Sequence, residues 1–129
     1  MRLYLSHRIT SPTPEGQKLN CDAAIAFAKG LRHHFPDVEF YVPAESEPFV
    51  SKAHESDMLT VEQILEIDCQ IILTDCQGVI FYAPYSKLSS GMQIEYNYCQ
   101  LEHIPWIIVK DLAIEMLSEF IKQVGETDE

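Results

Sequence analysis

The stretch RLYLSHRITSPTPEGQKLNCDAAIAFAKGLRHHFPDVEFYV, residues 2–42, reads as a strand, a helix and a second strand. Arg2-Leu3-Tyr4-Leu5-Ser6 is a short, mostly apolar run, and a polar, proline-punctuated loop follows from His7 to Gly16. That loop is long for a strand-to-helix connection, and long loops at this place usually serve a ligand. From about Gln17 to His34, the residues Leu19, Ala23, Ala26, Phe27, Gly30 and Leu31 recur at three- and four-residue spacing, the pattern of an amphipathic helix. Pro36 ends it, and the β-branched and aromatic run from Val38 to Val42, closed by Pro43, is the second strand.

Working outward, Ala44 to Asp57 is acidic and irregular, and Thr60-Val61-Glu62-Gln63 fits a capping box that opens a helix to about Ile67, with Asp57 or Ser51 as earlier possible starts. Ile71-Ile72-Leu73 is a continuous apolar run of the kind expected of a central parallel strand covered on both faces. The aromatic stretch Val79 to Tyr85 reads as a short extra strand or a loop. Ser89-Ser90-Gly91 opens a helix to about His103, with Ser90 as cap and Gln93 three residues on. Trp106 to Val109 reads as another buried strand. Asp111 caps a last helix whose Ala113, Met116, Leu117, Phe120, Ile121 and Val124 form one stripe before Gly125 ends it. Residues 126–129 form an acidic tail. Strands alternating with helices predict an α/β fold in residues 1–125, a three-layer sandwich around a four- or five-stranded parallel sheet, flavodoxin- or Rossmann-like.

At 129 residues there is room for one domain with a real core and little room for another. The 9 basic and 20 acidic residues give a net charge of −11, which argues against duplex nucleic acid or an anionic membrane and leaves a small molecule in a locally neutral pocket. No leader pattern or long apolar span is present, so a cytoplasmic protein is expected. Cys21, Cys69, Cys76 and Cys99 match neither a CxxC pair nor paired zinc knuckles and read as buried free thiols; the five histidines form no ligand cluster, so neither a metal nor a cofactor is expected.

In a parallel sheet, ligands sit beyond the carboxyl ends of the strands, where the strand order switches. The sequence places Ser6, His7 and Arg8 after the first strand, Pro43 and Glu45 after the second, Asp75 after the expected third, and Lys110 and Asp111 after the last. The most informative segment is Ser89-Ser90-Gly91-Met92-Gln93-Ile94-Glu95. Small residues at a helix start let a ligand approach free backbone amides, which favour anionic or sugar oxygens. Glu95 is one turn further in. On an ordinary helix it would be a solvated glutamate near the favourable end of the dipole. Met92, Ile94, Tyr96 and Tyr98 leave little purely polar face around it, however.

A first strand ending in Tyr-Leu-Ser-His-Arg-Ile, an Ala-rich helix, a strand closing in Val-Pro, the segment Asp68-Cys69-Gln70-Ile71-Ile72-Leu73 and then Ser89-x-Gly91-x-x-x-Glu95 together resemble the nucleoside 2-deoxyribosyltransferase-like superfamily, which includes deoxynucleoside 5′-monophosphate N-glycosidases. The resemblance spans roughly residues 2–110. It implies that Glu95 is the nucleophile, that Ser89 and Gly91 bind sugar or phosphate, that Tyr4 lines the base and sugar pocket, and that the protein is a homodimer or higher oligomer. Family members carry an acid about eight residues before the Asp of the third strand. Counted from Asp68, that position holds Thr60, so the role falls to its neighbours Asp57 or Glu62. His7-Arg8 stands where the hydrolases carry a phosphate-binding glycine and serine.

A deoxyribosyl centre lacks the electron-withdrawing 2′-hydroxyl, so an oxocarbenium-like transition state forms readily and one carboxylate can capture it. The expected function is cleavage or transfer at the N-glycosidic bond of a 2′-deoxynucleoside or its 5′-monophosphate, with Glu95, Asp57 and Glu62 as the catalytic candidates and Tyr4, Ser6, His7, Arg8, Asp75, Ser89, Ser90 and Gly91 around the substrate. The alternative is a catalytically silent nucleotide-binding or sensing domain. A phosphoacceptor receiver domain would use Asp75 and Lys110 but needs an acidic pair after the first strand, where this chain has Ser6-His7. An acyl-transfer serine would want a Gly-x-Ser-x-Gly elbow, which is absent. Arg8 is either a surface arginine or a partner for phosphate or carboxylate. Phe81, Tyr82 and Tyr85 read as core or dimer contacts ahead of base-stacking residues.

Overall fold

The computed structural model describes residues 1–47, 52, 54–56 and 58–127. Four strands, β1 (Arg2–His7), β2 (Glu39–Tyr41), β3 (Gly78–Tyr82) and β4 (Trp106–Val109), form one all-parallel sheet in the order β2-β1-β3-β4. The helices are α1 (Pro14–His34), α2 (Val61–Asp75), α3 (Ser90–Leu101) and α4 (Ile114–Thr127), with a short 3-10 turn at Pro43–Ser46. The strand order reverses between β1 and β3, which makes the carboxyl edge between them the switch point of this three-layer α/β fold. Among the described residues no helix is long and apolar enough to cross a membrane.

The period of two along β1 divides its side chains between two cores. Leu3 and Leu5 join Phe27, Ala28 and Leu31 of α1 and Leu117, Phe120 and Val124 of α4 on one face. Tyr4 points to the other, with Val79 and Phe81 of β3, Ile72 of α2, and Met92 and Cys99 of α3. All four cysteines are buried and unpaired with one another.

The largest departure from the sequence expectation is Ile71-Ile72-Leu73, which is helical rather than a strand. Thr60 caps α2 as expected, its hydroxyl accepting from the Gln63 amide at 3.1 Å while the Gln63 side chain accepts from the Thr60 amide at 2.8 Å. Nothing between there and Cys76 breaks the helix. Cys69 and Ile72 face the sheet, whereas Ile67 and Leu73 are exposed, so the apolar run is one turn of a helix with a greasy outer face. The central strand is instead the aromatic stretch, Gly78–Tyr82, so Asp75 precedes a strand rather than following one.

Smaller corrections share one cause, that caps and stripes shift by a residue or two without altering the element. Thr13, not Gln17, opens α1, and the buried face is Cys21, Ala24, Phe27, Ala28 and Leu31; Leu19, Ala23 and Ala26 are exposed. Ser89 rather than Ser90 caps α3, accepting from the Met92 amide at 3.3 Å. Helix α3 stops at Leu101, where His103 takes a left-handed φ of 56° and the Ile104 amide returns to the Cys99 carbonyl at 2.9 Å, a Schellman closure. Asp111 lies outside α4, whose first closing bond runs from the Leu117 amide to the Ala113 carbonyl at 2.9 Å, and Met116 faces solvent. Gly125 does not end α4, which continues to Thr127; of the expected tail, Asp128 and Glu129 lie outside the described residues. Strand β4 is an edge strand with Trp106 and Ile108 partly exposed, not a buried one.

Candidate active site

On α3, Met92, Glu95 and Cys99 share one buried stripe, because residues three and four apart lie on the same face. The stripe faces the sheet, so its middle member delivers a carboxylate beneath β1. Ser6 lies two residues beyond Tyr4 and points the same way, and its hydroxyl donates to Oε1 of Glu95 at 2.9 Å. Glu95 is only 5% exposed and Ser6 is fully buried. The second oxygen, Oε2, is buried and makes no hydrogen bond of good geometry among the described residues, the Tyr4 hydroxyl being its neighbour rather than a well-aligned donor. A native protein seldom leaves a carboxylate oxygen in that state without a functional reason.

Burial, with the charge of Asp68 adding to it, pushes the Glu95 carboxyl up to about 7, against the opposing pull of the Tyr4 and Ser6 hydroxyls. Asp68 stands on the inward side of α2, next to Cys69 and one turn before Ile72. Burial, reinforced by Glu47, lifts its carboxyl to about 6, and the Tyr4 hydroxyl acts against that rise. Tyr4 itself is 1% exposed, and burial followed by the charges of Glu95 and Asp68 drives its phenol well above the usual range, so it stays a proton donor. Tyr41, from the end of β2, stacks on the Tyr4 ring with centroids 5.5 Å apart at 19°. Two near-neutral carboxyls therefore flank one buried phenol, under an aromatic wall, beside the switch point.

Of the residues expected at the site, Tyr4, Ser6 and Glu95 come together. Ser89 caps the helix that carries Glu95, Ser90 is exposed at its first turn, and Gly91 follows. A Cβ on Gly91 would meet only Leu65 Cδ2, at an ordinary 3.6 Å, so internal packing does not require the glycine. His7 points to the opposite face of β1. Its Nε2 accepts from the buried Ala44 amide at 3.1 Å and its Nδ1 lies 3.1 Å from the Arg8 carbonyl, which assigns the neutral tautomer with the proton on Nδ1. Burial lowers its pKa, in keeping with that form. Arg8 is exposed at the carboxyl end of β1 without a partner among the described residues. Asp75 ends α2 at the opposite, amino edge of the sheet, where its charge acts on Arg2. Glu62 is exposed in the first turn of α2, and Asp57, like Ser51, lies outside the described residues. Phe81 is fully buried core, Tyr82 stacks on Phe27 at 4.1 Å, and Tyr85 is exposed.

Sequence reasoning missed Asp68 and Tyr41. Once Gly78–Tyr82 is the third strand, the Asp before it is Asp75, and counting back seven residues reaches Asp68 rather than Thr60. The signal was present: Leu65, Asp68, Cys69 and Ile72 have helical spacing, with Asp68 on the buried side. Two surface clefts lie elsewhere. One of about 380 Å³ runs along the outside of α2 between Leu59 and Thr74, and one of about 610 Å³ lies between Arg2, Arg32 and Tyr41. Neither includes Glu95; the convergence of two carboxyls raised by burial marks the site. Among the described residues, no three His, Cys, Asp or Glu side chains are grouped to hold a metal ion. Comparison of the chain with protein-family models, with curated proteins and with solved structures returns no match.

Proposed function

We propose that the protein cleaves or transfers at the N-glycosidic bond of a 2′-deoxynucleoside or its 5′-monophosphate, with Glu95 as nucleophile and Asp68, rather than Asp57 or Glu62, as the proton donor. The observation that carries this reading is the buried Glu95 carboxylate, fixed through one oxygen by Ser6, with its other oxygen lacking a well-aligned donor and Asp68 and Tyr4 alongside. Two carboxyls in unlike environments, able to exchange acid and base roles near neutral pH, are what a double displacement at a sugar carbon requires.

Oε2 of ionised Glu95 bonds to C1′ as the C1′–N bond breaks and its electron pair leaves with the base. The proton of the Asp68 carboxyl passes to the departing base. Asp68, now a carboxylate, takes a proton from water as the water oxygen bonds to C1′, and the C1′–Oε2 pair returns to Glu95. A second base whose N–H loses its proton to Asp68 turns hydrolysis into transfer. Both carboxyls are raised towards neutrality by burial, so a singly protonated pair is present there. A sugar hydroxyl donating to Oε2 stabilises ionised Glu95 and so favours the form with the proton on Asp68. Tyr41, half-buried and stacked on Tyr4, offers a face to the base, and Gly91 and the open amides of α3 suit a sugar or phosphate oxygen. The resemblance that motivates the reading further implies a homodimer or higher oligomer.

Incubation with the 2′-deoxynucleosides and their 5′-monophosphates, with and without a second free base, tests the proposal through released base. Glu95→Gln is expected to lower release by orders of magnitude with little change in ligand affinity, and Asp68→Asn to lower it by about 10²- to 10⁴-fold. A wild type that binds a nucleotide but releases no base from any of them identifies a silent binding domain instead. Equal rates in wild type and Glu95→Gln sink the mechanism.

A further inference from the structure

The sheet's two edges are built differently. At the β2 edge the outward carbonyl of Phe40 accepts from Nη2 of Arg32 at 3.1 Å, the Arg2–Glu39 ion pair at 2.8 Å lies alongside, and Pro36 and Pro43 flank the strand. Charges, prolines and covered main-chain groups are what keep an edge strand from pairing with another chain. The β4 edge is left without them. In Ile104-Pro105-Trp106-Ile107-Ile108-Val109-Lys110 the sole charge is Lys110, at the far end, and Pro105 directs its carbonyl to β3 rather than outward. The Pro105 and Val109 carbonyls accept from the Val79 and Ala83 amides, so the main-chain groups of Trp106 and Ile108, one residue out of step, point away from the sheet. No described residue bonds to them. Trp106 and Ile108 are each 38% exposed and share one face of the strand, where the Trp106 ring meets Tyr96 of α3 edge-on with centroids 4.8 Å apart.

We propose that β4 pairs antiparallel with β4 of a second copy of this chain, across a two-fold axis that runs through Ile107 perpendicular to the sheet. That axis joins two identical edges without reversing the faces of either sheet, and the edge residues complement themselves under it. Trp106 comes opposite Ile108 of the partner subunit, and Ile108 opposite the partner subunit's Trp106. Each is a hydrogen-bonded pair that exchanges both N–H···O bonds, so the outward amides and carbonyls of both residues are satisfied. The exposed apolar side chains of the two copies then meet on the α3 side, aromatic against β-branched, a cross-strand pair that stabilises a sheet. Charge points to the same occupant. A chain of net charge −11 repels a second copy over most of its surface, but residues 103–110 hold no acidic group. Lys110, exposed and without a partner among the described residues, comes beside the partner's Ile104, two residues from the partner's Glu102 at the carboxyl end of α3, where the helix dipole also favours a cation. The guarded β2 edge does not accept β4 head to tail, so the pairing closes at two copies instead of growing into a fibre. The resemblance implies an oligomer but assigns it no surface. This edge is separated from Glu95 and the switch point by β3, and the pairing does not depend on the reaction carried there.

Sedimentation velocity of the full chain across the micromolar range tests the pairing. Wild type is expected to show a reversible monomer–dimer equilibrium, weak for a specific complex because an edge strand of 4 residues buries little area. Ile108→Pro removes an outward amide but none that faces β3, a change an edge strand tolerates, and should weaken the dimer at least about tenfold while the circular dichroism of the fold is retained. Ile107→Cys places two thiols across the axis, in the non-hydrogen-bonded pair where side chains lie closest. With oxidised glutathione as the oxidant it should give a disulfide-linked dimer, whereas wild type, whose four cysteines are all buried, should not. The cross-link decides the matter where Ile108→Pro does not fold. A monomer at every concentration overturns the inference and leaves the open edge to a strand from another protein. A dimer that persists undiminished in folded Ile108→Pro, or that gives no cross-link at residue 107, overturns it as well, because its interface then lies elsewhere. None of these outcomes bears on base release, so the proposed function stands or falls separately.

Discussion

Ser6 and His7 are neighbours on β1 with opposite assignments, and the strand's period of two is the reason. Ser6 faces α3 and its carboxylate; His7 faces away and ties the end of β1 to the 3-10 turn after β2 through the Ala44 amide. The sequence marks both as polar residues after a strand, and only the direction of the side chain separates a site residue from a fastener. With no charged group acting on it, His7 is held neutral by burial alone. His7→Phe fills the space but leaves the buried Ala44 amide without an acceptor, an arrangement that costs about 1–3 kcal/mol. His7→Gln can offer its amide oxygen near the position of Nε2 and should recover part of the loss. Chemical denaturation of the two variants checks this; equal stabilities would show that the Ala44 bond contributes nothing measurable.

Helix α2 shows how far an element can be read before it folds. Its start was legible in Thr60 and Gln63, because a capping box is a local device that depends on four residues. Its length was not. Ile71-Ile72-Leu73 satisfies a buried strand as well as a helix, and periodicity cannot separate the two in three residues. The error carried Asp68 from helix to strand and displaced the count for the proposed acid, so one misread element hid one residue of the candidate site. Glu95, Ser6 and Tyr4 were legible because α3 and β1 were each placed correctly within two residues at either end. Asp68 is two turns beyond the cap, and cap and site are therefore separable. Thr60→Ala should destabilise the protein by about 1 kcal/mol, seen as a lower melting temperature, while base release at a temperature well below the transition stays as in wild type. A loss of activity without a loss of stability would mean that the first turn of α2 reaches the substrate.

Across the whole molecule, the sheet's two faces have different tasks: α1 and α4 cover an apolar core, whereas α2 and α3 bury two carboxyls with theirs. In a chain of net charge −11 such burial is a standing cost above the acid range. Glu95 moves from an unfolded value of 4.5 to about 7 in the fold. A carboxyl raised on folding contributes its full stability below the unfolded value, and that contribution is lost as pH rises from 4.5 towards 7, because the unfolded chain ionises first. Above that window the shift corresponds to roughly 3 kcal/mol at most. Glu95→Gln removes the titration and retains an oxygen to accept from Ser6. The variant should match wild type in stability near pH 4, pull ahead as the pH rises, and hold a lead of about 2 kcal/mol at pH 8, measured by denaturation across that range. Asp68 shifts in the same direction and gives Asp68→Asn a smaller copy of the effect over a slightly lower window. A lead that is constant with pH, or that grows towards acid, would contradict a buried, reluctantly ionised Glu95 and with it the carboxylate chemistry assigned to this face of the sheet.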